Sequence, residues 1–254
     1  LMVGVALGTA LASVGAGFVA QLLSWRVAFV VTGSVALVLV VALRQLAEPP
    51  RTRRHVSPLA PLGAVGRSRA ALVVLVLAFV EGGVLLGVLT LLPPAVEAAG
   101  ASAGLAGAVT GAYGVAVLVF ARLVGFLSRR THASRLIALG AAASLVGCAL
   151  LAVSRTPWVA LVVAVLLGLG WAAMHSTLQT WATEVLPAAR ATVVSLFAGS
   201  LFIGSAVAAV VVAGPAAADR YSEVFAVAAV VVVPLGLLGT LARAGWRRPE
   251  EGAA

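Results

Sequence analysis

The sequence predicts an all-α, multi-pass transmembrane bundle of about eight helices, and three observations carry that reading. The first is eight apolar runs of about 20 residues each, which at roughly 1.5 Å rise per residue cross a hydrocarbon layer of about 30 Å. The second is composition: 62% of the 254 residues are hydrophobic, 10% are charged, and the mean hydropathy is +1.15. One soluble core could not hide so much continuous apolar sequence, and helices satisfy their own backbone hydrogen bonds in lipid. The third is that the charge lies at the ends of the runs rather than on a soluble domain, so the net charge of +9 does not point to nucleic acid.

The expected spans are 1–23, 27–46, 71–94, 103–127, 134–153, 157–181, 190–213 and 223–245. The first opens at Leu1 with no basic lead and no cleavage site, so it is not a cleavable signal; it reads as a chain whose beginning is missing. Ser24-Trp25-Arg26 separates the first two spans, and a polar stretch from Arg44 to Arg69 with four prolines follows the second. Pro93-Pro94 is expected to close the third span and Arg129-Arg130 the fourth. Ser154-Arg155-Thr156-Pro157 opens the sixth, Pro187 precedes the seventh, and Gly214-Pro215 is expected to end it.

All 17 basic residues are Arg. Thirteen fall on one side: Arg44, Arg51, Arg53, Arg54, Arg67, Arg69, Arg129, Arg130, Arg135, Arg190, Arg243, Arg247 and Arg248. Three fall on the other, Arg26, Arg155 and Arg220, and Arg122 lies within a span. The positive-inside rule makes the rich side cytoplasmic, and an even number of spans then leaves both termini there. Cys148 lies inside a span and, as the sole cysteine, can form no intramolecular disulfide.

A shift of 196 residues aligns the first two spans with the last two without a gap. Leu7-Gly8-Thr9-Ala10 meets Ile203-Gly204-Ser205-Ala206, Trp25 meets Tyr221, and Phe29 meets Phe225. Transporters are commonly built from such repeats. The first span also carries Gly4, Gly8, Ala12, Ala16 and Ala20 at four-residue spacing, a small-residue ridge suited to close helix packing and expected to face the fourth span.

These segments resemble the C-terminal two thirds of a major facilitator superfamily transporter of the bacterial drug- and sugar-efflux type. GVALGTALASVGAGFVAQLLSWRVAFVV is similar to that family's fifth helix, with its glycine-rich antiporter motif (here Gly4, Gly8, Gly15 and Gly17) and the Trp25-Arg26-x-x-Phe29 that follows. ARLVGFLSRRTHASRLIALG resembles the loop between the eighth and ninth helices, where Gly125 and Arg135 match and become gating-loop candidates. The family's acidic position there is Arg129 and a glycine is His132, so the loop's charge relay does not carry over. Gly8-Thr9 also stands where the antiporter motif has Gly-Pro. LPAARATVVSLFAGSLFIGSAVA is similar to the entry into the eleventh helix. The resemblance implies that residues 1–46 are the last two helices of an N-terminal bundle whose first four are missing. It makes 47–70 a cytoplasmic linker and 71–254 a C-terminal six-helix bundle in the cell membrane.

Ionisable groups inside a span are costly, about 2.5–3.5 kcal/mol at a helix centre on insertion scales, and invite a functional reading. Glu81, some ten residues into the third span and followed by Gly82-Gly83, is the candidate proton-coupling group; a protonated Glu bonded to a neighbouring helix is the structural alternative. Trp171, His175 and Gln179 recur every four residues on one helix face and are candidate cavity wall, with Tyr113 a further candidate. His175 could instead bridge helices. The resemblance implies that the spans of Glu81 and His175 line the central cavity.

Enzyme chemistry finds no footing. No cluster of His, Cys and carboxylates has metal-ligand spacing, the absence of Lys removes any Walker-type phosphate loop, and no cofactor is expected. The sequence therefore predicts a gradient-driven secondary transporter of small molecules by alternating access, with the lipid bilayer as its setting and protons as candidate coupling ions. Transport would need the missing N-terminal helices or a partner chain. The alternative is a truncated, non-transporting membrane protein or helix-pairing scaffold.

Overall fold

A computed structural model describes residues 2–45 and 59–247, and the described residues form helices joined by short turns. Eight helices of span length follow one another. They are α1 (Met2–Leu22), α2 (Trp25–Leu43), α4 (Arg69–Ala98), α5 (Ala103–Leu127), α6 (Ala133–Val153), α7 (Pro157–Glu184), α8 (Arg190–Ala217) and α9 (Tyr221–Gly245). A short helix, α3 (Leu59–Arg67), precedes α4 inside the stretch expected to be linker, and it seats Val65 in the core. The rest of that stretch, with Arg51, Arg53 and Arg54, lies outside the described residues, as does the tail after Arg247. From α2 onward, all seven of the long helices are long and apolar enough to cross a membrane.

The starts obey local chemistry. The hydroxyls of Ser24, Ser68 and Ser102 accept from the backbone N–H of Arg26, Ala71 and Leu105 at 3.2–3.3 Å, satisfying donors that have no intrahelical partner. His132 caps α6 in the same way through Nδ1, which accepts from Ser134 N–H at 3.3 Å. Pro157 starts α7 at a position where its missing N–H is harmless.

Two expected breaks are absent. Helix α4 runs through Pro93 and Pro94 to Ala98 and turns at Gly100, whose φ of +95° suits a residue without Cβ. Helix α8 likewise runs through Pro215 to Ala217. Each proline removes one intrahelical donor, but leaving the helix inside lipid would expose several backbone groups instead, so the helix persists. At Pro187, by contrast, the chain does break into a 3-10 turn, Pro187–Ala189.

The core sits among α4–α9. Helix α9 lies against α6, α5 packs on α7, and α8 crosses α4 so closely that Cβ atoms at Gly82 and Gly204 would overlap the Leu201 and Phe79 carbonyls. Helix α1 packs on α5, the partner expected for it. The seam differs from the expected ridge. A Cβ on Gly17 would meet the Ala103 carbonyl at 2.8 Å and Gly107 Cα at 3.0 Å, and Gln21 Oε1 accepts from Gly104 N–H at 3.0 Å. Gly8 and Gly15 have open space around them, Ala12 and Ala16 are exposed, and the surroundings of Gly4 are not among those described. Helix α2 has no buried residue.

These packing distances give a stability test. Gly204→Ala should lower stability by about 1–3 kcal/mol, because the new methyl is driven into a carbonyl on α4. Gly8→Ala should change it by less than about 0.5 kcal/mol. Thermal unfolding of both variants in detergent reads the difference; equal effects would remove the close crossing from the account.

Candidate functional site

Glu81 and His175, 94 residues apart, meet at the centre of the α4–α9 core. His175 Nδ1 lies 3.1 Å from Glu81 Oε2, and the two residues are 4% and 0% exposed. Glu81 Oε1 is equally buried and has no hydrogen-bond partner among the described residues. Trp171 stacks on the imidazole with ring centroids 3.7 Å apart and planes 18° from parallel, and Phe197 of α8 approaches from another side at 5.6 Å. Tyr113 of α5 is buried too and lies within electrostatic reach of Glu81.

Both members of the pair stand at π turns, wide turns that are rare and frequent at functional sites. One occupies Gly82–Leu86, immediately after Glu81; the other occupies Trp171–His175 and ends on the imidazole. Each lies beside glycine where a neighbouring backbone passes. Gly82 meets α8, and Gly170, just before Trp171, meets Ser144 of α6. Gly140 of α6 receives Met174, where a Cβ would sit 2.6 Å from the Met174 backbone nitrogen. Trp171 and His175 are the first and last residues of their π turn, and their rings stack.

Chemically, the contact needs a proton between nitrogen and oxygen, carried as imidazole N–H or as carboxyl O–H. The pair is neutral overall only when it holds one proton beyond the imidazole's own, as a carboxylic acid beside imidazole or a carboxylate beside imidazolium; a carboxylate beside neutral imidazole would seal a net negative charge in a dry core. In this conformation the Glu81 carboxyl is hydrogen-bonded to His175 across two neighbouring helices, α4 and α7.

The remaining expected residues lie elsewhere. Gln179 is half-buried, and among the described residues no hydrogen bond joins it to Glu81 or His175. Gly125 and Arg135 sit on exposed surface at the α5–α6 turn, where Gly125 O accepts from Ser128 Oγ at 2.9 Å. Among the described residues there is no group of three His, Cys or carboxylate side chains able to hold a metal.

One cluster was not singled out by the sequence. Arg243 Nη2 donates to Glu184 Oε2 at 3.2 Å, and its guanidinium lies 4.7 Å from the Trp246 ring and 5.6 Å from Trp181. It ties the ends of α7 and α9 together. The available signal was a carboxylate and an Arg placed at the ends of two spans that finish on the same side.

The family model of the Major Facilitator Superfamily matches residues 1–209 and, in a second and overlapping match, residues 95–253. No curated protein matches the chain significantly.

The pair itself is open to a double-mutant test. His175→Ala leaves both Glu81 oxygens without a partner and should destabilise by roughly 1–3 kcal/mol. Added to Glu81→Gln, the same change should lose less, with a coupling between the two of about 0.5–3 kcal/mol. Denaturation of the four proteins in micelles measures that coupling, and additive losses would show that the contact contributes nothing.

Proposed function

The chain belongs to the Major Facilitator Superfamily, and we propose that it works as a proton-coupled efflux permease whose coupling proton is held between Glu81 and His175. As a family member it is a membrane-embedded transporter of small molecules rather than an enzyme. The single observation that supports the finer reading is the sealed pair at two π turns, 3.1 Å apart across α4 and α7.

The mechanism follows from charge. While the pair is sealed, one proton beyond the imidazole's own keeps the core neutral. Opening on one side admits water, which can solvate a bare carboxylate, so the proton can leave only in an open state. Closing again requires a new proton or another neutralising group. Alternating access therefore becomes linked to proton movement through the desolvation of Glu81. Trp171 and Phe197 hold the imidazole in its orientation, and the π turns are where α4 and α7 can change winding without breaking.

In this reading residues 2–45 belong to a second bundle that rocks against the α4–α9 bundle along the α1–α5 seam. The Arg bias puts both termini and the 47–70 stretch in the cytoplasm of a cell whose boundary membrane holds the protein. Impermeant labelling of a cysteine placed at Arg53, in protein with Cys148 replaced, should succeed only from the cytoplasmic side. The helix-pairing alternative draws on one observation, the absence of any buried residue in α2, and it predicts no flux at all.

The decisive assay is flux in liposomes carrying an internal pH dye. Across a panel of small organic solutes, a transported one should drive proton movement with the wild-type protein. Glu81→Gln, which keeps the shape but cannot ionise, should reduce that movement at least tenfold while solute binding survives. His175→Gln should keep flux and shift its pH profile. Glu81→Gln protein that transports at the parent rate with the parent pH dependence would leave Glu81 a purely structural residue.

A further inference from the structure

A groove of about 480 Å³ runs between α4, α8 and α9, and neither Glu81 nor His175 lines it. Its walls carry one polar side chain, Thr90, whose hydroxyl is already donated within its own helix, to Leu86 O at 3.0 Å or Gly87 O at 2.9 Å. Nothing polar is left to greet a water-soluble ligand. Along α8 the lining runs from Gly204 to Ala216, twelve steps or about 18 Å. That is close to one leaflet of the hydrocarbon layer, half of about 30 Å.

Charged residues adjoin one end of the groove. On α9 the lining starts at Val224, whose N–H donates to the carbonyl of Arg220, the residue just before the helix in the turn that joins α8 to α9. Arg220 Nη1 donates to Glu223 Oε2 at 3.1 Å, and the two side chains are 52% and 65% exposed. An exposed ion pair of this kind is worth little by itself, so both groups remain able to engage a ligand. A cation and an anion side by side, above an apolar slot one leaflet deep, complement a head carrying one phosphate and one ammonium.

We propose that this groove binds one acyl chain of a zwitterionic, amine-bearing phospholipid, with its phosphate on Arg220 and its ammonium on Glu223. The site is independent of the transport reading, although its floor includes Gly83 and Val84 of the π turn that follows Glu81.

Native mass spectrometry tests it on the purified chain. The protein is equilibrated in mild detergent with equimolar palmitoyl-oleoyl phosphatidylethanolamine and phosphatidylglycerol, then washed. The wild type should retain one phosphatidylethanolamine in preference. Val227→Trp, a change at a rim residue that is 63% exposed, fills the groove and should reduce retention at least tenfold. Arg220→Ala should reduce it about fivefold, the loss of one membrane-surface cation. Both variants should melt like the wild type in lipid-free detergent; should Val227→Trp fold poorly, the exposed Arg220→Ala decides alone. Undiminished retention in Arg220→Ala overturns the proposal. So does retention of phosphatidylglycerol equal to or above that of phosphatidylethanolamine, or a dimer of the chain that Val227→Trp abolishes.

Discussion

A carboxyl group at mid-span persists only if it is kept away from lipid and given a partner, and the centre of this bundle is organised around that requirement. Glu81 is sealed within the core, with one oxygen on His175 and the other without a donor among the described residues. A group so placed is never far from an unpaired buried charge, which is among the most expensive arrangements in a protein interior. In the proposed mechanism a proton shared by the pair removes that charge. The packing of α4, α6, α7 and α8 around this point can be understood as what holds a carboxyl and an imidazole at 3.1 Å.

The glycines supply the close approach. With no Cβ at Gly82 and Gly204, α8 presses onto α4 directly behind Glu81 and carries Phe197 to the imidazole; with none at Gly140 and Gly170, α6 seats the π turn that ends at His175. The two π turns are then local unwindings supported on both sides by neighbouring backbone. They offer α4 and α7 an alternative winding at the residues that hold the proton, while the Glu184–Arg243 pair fixes the far end of α7 to α9.

Much of the fold was legible because lipid imposes a simple rule on length and polarity, and the spans were located to within a few residues at most ends. The residues matched by the shift of 196 stand in like places: Trp25 and Tyr221 are each the first residue of a helix, and each is paired with the phenylalanine four residues on. Proline was overread at Pro93-Pro94 and Pro215, because its effect in water is weaker evidence where no water competes for the backbone. The packing seam of α1 was placed on the wrong face, since a helix rich in Gly and Ala offers small residues on several faces and spacing cannot choose among them. Glu81 and His175 were visible singly as polar residues in spans. Their meeting was not, because helix periodicity fixes a face and leaves the partner open, and π winding disturbs the very period on which Gln179 was grouped with Trp171 and His175.

The central claim is that Glu81 and His175 together hold one proton while the site is sealed. Infrared difference spectroscopy of the protein in bilayers, recorded across a pH titration, tests it directly when combined with ¹⁵N-labelled histidine. The account predicts that the carboxyl and imidazole signals change together in one step, that the step is absent in Glu81→Gln, and that in His175→Gln the carboxyl signal moves to a different pH. A carboxyl signal that titrates unchanged when His175 is replaced would contradict it.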